Sequence, residues 1–204
     1  MGRDGSGGSV IRGWQSLLGT FTGVVFITAA ALPLVVLTVW ALAHRRKATG
    51  ATSARAWRTS LADVGIVYGT APGIWLILLP GPGAGIVPGR VSLVPLRDLA
   101  TMPTGQIVGN LLVFAALGFL APLRFPALAS VPRILVLGAG CSVLVETAQY
   151  VLWLDRVSSV DDVLLNAAGA GLAALGSRRY WRSSSGADGP GSHAAPAAGR
   201  SCAG

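Results

Sequence analysis

In the stretch ETAQYVLWLDRVSSVDDVLLNAAGAG (146–171) the side chains that stand out as able to do chemistry are those of Glu146, Gln149, Arg156, Asp161, Asp162 and Asn166. Glu146 is the only glutamate in the chain, and the flanking residues are apolar enough to sit in a bilayer. Ionisable groups at membrane depth cost several kcal/mol unless paired or wetted, so they mark a functional site by default. A guanidinium can hold a phosphate or carboxylate. A buried carboxyl can exchange a proton, and the amides can orient a ligand. Asn110, on an earlier apolar segment, belongs to the same polar set.

Spacing places these groups. Glu146 and Gln149 are three apart, and Asp162 and Asn166 four apart, so each pair shares one helix face. A short link through Asp155 and Arg156 makes the two helices antiparallel neighbours whose polar faces can meet. Arg156 is then within reach of Glu146, Asp161 or Asp162. One arginine against three carboxylates leaves a net negative site, to be balanced by a proton, a cationic ligand or another basic group such as Arg97.

Plainer roles compete. Ser159 followed three residues later by Asp162 resembles a capping box, and aspartates in a first turn complement the helix dipole, a plainer role open to Asp161 and Asp162 alike. Asn110 and Glu146 also suit interhelical hydrogen-bonded struts.

The elements that position these residues follow from composition. The 204 residues are 52% hydrophobic and 12% charged, with a mean hydropathy of +0.62. Soluble domains carry about 25% charged residues. The deficit predicts an all-α polytopic transmembrane bundle of about five spans, over residues 20–43, 61–80, 106–123, 133–153 and 160–181. Each is long enough to cross roughly 30 Å of hydrocarbon at about 1.5 Å per residue. Pro33 predicts a kink in the first span. The Ala-Leu-Ala at 41–43 has the look of a signal-peptidase site, but the long apolar run and the basic cluster after it favour a retained span.

Four regions result. Residues 1–18 are Gly/Ser-rich and expected to be disordered. Residues 19–85 form two spans joined by a basic connector, and 86–178 hold the polar set. The Gly/Ala/Ser/Pro tail, 183–204, is expected to be disordered.

Eleven of the 16 Lys and Arg residues fall on the side that an outside amino terminus makes cytoplasmic. The positive-inside rule therefore predicts a multi-pass protein of the cell membrane, amino terminus out and carboxyl terminus in. Glu146, Gln149, Asp161, Asp162, Asn166, Asn110 and Arg156 then all lie toward the extracytoplasmic face.

Several function classes are excluded as readings. The net charge of +8 sits between apolar runs, without stacking or zinc-finger patterns, so nucleic acid is not an expected partner. Cys141 and Cys202 make no disulfide framework. His44 and His193 have no ligand spacing, so neither a metal nor a cofactor is expected. PGPGAG lacks the GK[ST] ending of a phosphate loop. Ser158 has no histidine partner for nucleophilic catalysis. Gly169, Gly171 and their alanine neighbours are expected to allow close helix packing.

With these residues in view, the chain resembles the VanZ-like family, small bacterial multispan proteins named after a teicoplanin-resistance accessory protein. NLLVFAALGFL (110–120) is similar to the family's asparagine-led third span, and ETAQ (146–149) to its Glu-x-x-Gln. Arg156, Asp161, Asp162, Asn166 and Gly171 resemble its Arg, Asp-Asp, Asn, Gly series. VSLVPLRDL (91–99) is similar to its Asn-Leu-Ile-Pro-Phe loop, with Ser92 in place of the asparagine. Ala116 replaces the usual third-span proline. The resemblance covers residues 90–176.

It implies a cell-envelope role without a settled reaction: a non-enzymatic protein that binds or shields an envelope component, such as a lipid-linked cell-wall precursor or a glycopeptide. The alternatives are a membrane enzyme acting on a lipid-linked head group and a structural or transport bundle. Five spans without an internal repeat argue against a self-contained carrier, and a homo-oligomer is compatible with each reading. The lipid bilayer is the partner common to all.

Overall fold

A computed structural model describes residues 20–86 and 88–185, with side chains described through Trp181. The segment 1–18 and nearly all of the tail lie outside these residues; 183–185, assigned to the tail from sequence, continue the last helix.

Helix α1 spans Phe21–Ala48. It starts where the Thr20 side chain accepts a hydrogen bond from the Gly23 amide, and ends on Arg45, Arg46 and Lys47, cations that complement the helix dipole. It continues through Pro33. Helix α2 is Ser53–Ile77. A long connection follows, holding the short strand β1, Arg90–Ser92. Helices α3 (Thr104–Val113) and α4 (Ala115–Arg124) make up the third span. A 3-10 turn over Pro126–Leu128 leads to α5, Val131–Val151. Strand β2, Val157–Ser159, runs directly into α6, Val160–Ser185.

The molecule is therefore the all-α bundle of a polytopic membrane protein. The helices α1, α2, α3 with α4, and α5 are long and apolar enough to cross a bilayer. Helix α6 has the length, but its first turns carry Asp161, Asp162 and Asn166. Large apolar side chains face outward along the helices, among them Phe26, Leu37, Val67, Val136, Leu144 and Leu172. In water that surface would aggregate; in hydrocarbon it is the expected exterior.

Helix α6 is the hub. It packs against α3, α4 and α5, while α1 rests chiefly on α2. The core comprises Val113, Phe114, Ala121, Ile134, Val145, Ala170 and Ala174. Small residues on α6 permit the contact, as their spacing implies. Gly169 lies on the Leu111 backbone, Gly118 lies on the Ala170 backbone, and Gly138 faces Ala167 and Ala170.

Two features differ from the sequence expectation. The third span is not continuous. Phe114 adopts φ −108° and ψ 14°, and its amide turns back to the Leu112 carbonyl. The break lets the two half-helices lie on α6 at separate points, Leu111 against Gly169 and Gly118 against Ala170. The second difference is a parallel β ladder, which pairs Arg90 with Val157, Val91 with Ser158 and Ser92 with Ser159.

The bundle has two polar ends. At one, Asp63 accepts from both Arg46 and Arg124 at 2.5 Å, tying α1, α2 and α4 together. Arg46 also donates to Thr59 and Ser60. At the other end lie the 78–103 connection, the β ladder and the link between α5 and α6.

Candidate functional site

Antiparallel α5 and α6 bring Glu146 and Gln149 opposite Asp162 and Asn166, and the start of α3 adds Asn110 and Gln106. The space among them is a cavity of about 830 Å³. Six of the seven residues singled out from sequence line it: Asn110, Glu146, Gln149, Arg156, Asp162 and Asn166. Arg90, Gln106 and Asp155 also line it, as do Gly69, Gly73, Leu76 and Ile77 of α2. Sequence reasoning missed these. The cross-strand pairing of Arg90 with Val157 brings the first of them near, and the short runs Val91–Ser92 and Val157–Ser159 are the only local signal for it.

Each polar wall residue has a definite partner set. Asp162 accepts from the Asn110 amide and, at 3.4 Å, from Gln106. Gln149 donates to the Ile77 carbonyl at 2.6 Å, locking α5 to the end of α2. Asn166 is 2% exposed and donates to the Ser142 hydroxyl at 2.8 Å, while its Oδ1 is buried without a partner. Oε2 of Glu146 is likewise buried and unpartnered. Beside it, Ser158 donates to the Glu146 backbone carbonyl at 3.0 Å.

Asp161 does not line the cavity. It is 1% exposed, and its carboxylate accepts the backbone amides of Leu96, Asp98 and Leu99 at 2.5, 2.9 and 3.1 Å. Neighbouring residues on one helix point different ways, so the Asp-Asp pair divides its labour: Asp162 inward, Asp161 onto the connection. The three amides around one carboxylate explain how Leu96 holds a left-handed conformation, φ 64°, that a leucine disfavours by about 1–2 kcal/mol.

Arg156 does not reach Glu146, Asp161 or Asp162. It donates to the Leu79 carbonyl at 3.3 Å and forms no ion pair among the described residues. The link turns through two left-handed residues, Trp153 at φ 50° and Asp155 at φ 53°, and these direct Arg156 along the rim instead of down the wall. Asp155 takes the Gly83 amide at 2.9 Å and pairs with Arg90 at 3.5 Å.

The loop carboxylate Asp98 accepts from Ser159 at 2.8 Å. Hydrogen bonds from Ser92 and then Ser159 hold its carboxyl below the usual carboxylate range. A depressed carboxyl stabilises the folded loop above its ordinary titration range, and that stabilisation disappears as pH falls through the depressed value. Amide protection factors in residues 96–99, taken relative to the intrinsic exchange rate at each pH, should therefore fall on acidification of wild-type protein. In Asp98→Asn this pH dependence should flatten, and an unchanged profile in the variant would rule out the Asp98 contribution.

Among the described residues, no cluster of three or more His, Cys, Asp or Glu side chains is arranged to hold a metal ion. The arrangement offers acceptors on the cavity wall, two arginines at its mouth and an apolar flank along α2 and α3.

The chain matches the VanZ/LLP1 family over residues 66–180. The match begins within α2, earlier than residue 90 where the sequence resemblance starts, and so takes in Gly69, Gly73, Leu76 and Ile77 of the cavity wall. Comparison with curated proteins and with solved structures returns no match. Covering more than half of the sequence, the family match settles kinship: this chain is a member of the VanZ/LLP1 family.

Proposed function

We propose that the protein binds or shields the polar head group of a cell-envelope component in this cavity, without chemical conversion, and from the extracytoplasmic side. The observation that carries the reading is the convergence of Asn110, Glu146, Gln149, Arg156, Asp162 and Asn166 on one cavity. Polar groups on apolar helices cost free energy that packing alone does not return. Arg156 serves an anionic part of the ligand, and the wall amides and carboxylates fix its orientation.

Outward orientation is supported by charge. The cavity end carries Arg90, Arg97 and Arg156, whereas the opposite end carries the 45–58 connector, Arg124, Arg133, Arg178 and Arg179. A lipid-linked wall precursor and a glycopeptide of the teicoplanin type both present anionic groups to such a site. A second reading, hydrolysis of a lipid-linked head group, draws on Glu146 and Asp162 sharing the cavity.

The test pairs topology with phenotype. In a cysteine-free background, Ile86→Cys should react with a membrane-impermeant thiol reagent in intact cells and Arg179→Cys should not. Teicoplanin resistance conferred by the wild-type gene should be lost in Arg156→Ala and Glu146→Ala. Reversed labelling, or wild-type susceptibility in both variants, overturns the reading. Release of a head group by purified protein would select the hydrolytic alternative.

A further inference from the structure

We infer that the ligand is a lipid whose head group carries a primary ammonium next to an anionic group, with its hydrocarbon chains leaving the cavity between α2 and α3. This rests on the reading of the cavity as a head-group site and names the ligand class.

The unmet hydrogen-bonding capacity defines the deep end. Glu146 Oε2 and Asn166 Oδ1 are buried, lack partners and line the cavity. Both are acceptors, so the missing group is a donor. An orphaned buried acceptor costs about 1–3 kcal/mol, which a bound donor would recover. Asp162 lines the same space, and among the described residues no Lys or Arg pairs with it or with Glu146. Hydroxyl groups would supply donors but no positive charge. An ammonium supplies three donors and the opposite charge together.

The mouth has the complementary sign. Arg156 spends one guanidinium hydrogen bond on the Leu79 carbonyl and is otherwise open to solvent. Arg90 stands on the same rim, paired with Asp155, which leaves Arg156 as the unpaired cation there among the described residues. Glu146 lies five residues before the end of α5, hence about 7–8 Å deeper along the helix axis. A phosphoethanolamine head group folded into the cavity, its phosphate at the rim and its ammonium turned inward, meets this order of charges.

The side wall says that the ligand is membrane-resident. Helices α2 and α3 approach closely where Gly73 meets Val113. Toward the cavity mouth, a side chain at Gly105 or Gly109 would meet nothing within 4 Å. Phe21 and Leu112 line the cavity while being 67% and 61% exposed on the apolar exterior. A cavity with a polar floor and a flank open at hydrocarbon depth accommodates an amphiphile; a water-soluble ligand needs no such flank.

The test is native mass spectrometry of the purified full-length protein with equimolar phosphatidylethanolamine, phosphatidylcholine and phosphatidylglycerol of identical chains. Phosphatidylethanolamine should be retained over the other two by about tenfold. Phosphatidylcholine has the positive charge without N–H donors; phosphatidylglycerol has hydroxyls without the charge. Glu146→Gln should erase the preference. Gly109→Leu, whose side chain enters open space, should abolish retention of all three while leaving the melting temperature near wild type. Leu112→Trp fills the same opening should Gly109→Leu fail to accumulate.

Equal or better retention of either competitor, lost on filling the opening, overturns the ammonium assignment and leaves the head-group reading standing. A preference that survives Glu146→Gln overturns the assignment as well. Wild-type protein that retains no lipid beyond the filled variants overturns the ammonium-lipid assignment, and the thiol-labelling and resistance tests then decide the head-group reading on their own.

Discussion

Gly118→Ala and Gly169→Ala are each expected to destabilise the bundle by about 3 kcal/mol, the upper range for overpacking a close contact. A methyl on Gly118 would collide with the Ala170 carbonyl, and one on Gly169 with the Leu111 carbonyl. Both obstacles are backbone, which has no rotamer to offer. Relief requires that α6 move away from the third span, opening the core around Val113, Phe114 and Ala170. Gly140 and Gly176 are the controls, because a methyl there meets nothing within 4 Å. Their alanine variants should be neutral or gain roughly 0.5–1 kcal/mol from lower backbone entropy in the unfolded chain. Thermal unfolding of the four purified variants decides the matter. Similar melting temperatures across the set would show that helix proximity at Gly118 and Gly169 does not limit stability.

Asp161→Ala should release the 96–99 segment, at a cost on the order of 3 kcal/mol. The substitution removes the acceptor of three amides at once. With it goes the support for the left-handed Leu96. The effect should be local: amide exchange at Leu96, Asp98 and Leu99 should rise by orders of magnitude, while the middle of α6 stays protected. Asp161→Asn should be intermediate, since the amide keeps one acceptor oxygen and loses the charge that strengthens hydrogen bonds to it. If exchange at the three amides matches wild type in Asp161→Ala, the carboxylate is not what holds the segment.

Much of this architecture was legible before the structure. Apolar runs marked the helices, because hydrocarbon admits few alternatives to a backbone that satisfies itself. Periodicity placed Glu146 with Gln149 and Asp162 with Asn166, and both pairs line the cavity. What escaped depends on contacts between distant segments. Nothing local to Phe114 marks a break; it follows from fitting two half-helices onto α6. Asp161 and Asp162 are chemically identical neighbours, and only the path of the 90–99 segment sends one outward and the other in. Arg156 could not be kept from the carboxylates on paper, since the left-handed turn at Trp153 and Asp155 involves no glycine to announce it. Asp63 stood out less than the later acids, although it joins Arg46 and Arg124.

The three-residue ladder between β1 and β2 acts as a vernier. Side chains of successive strand residues point to opposite faces, so Ser158 bonds to Glu146 on one side and Ser159 to Asp98 on the other. A slip of a single register step would exchange the two serines and uncouple both contacts. The Glu146 backbone and the 96–99 segment are thus tied to adjacent links of one short strand.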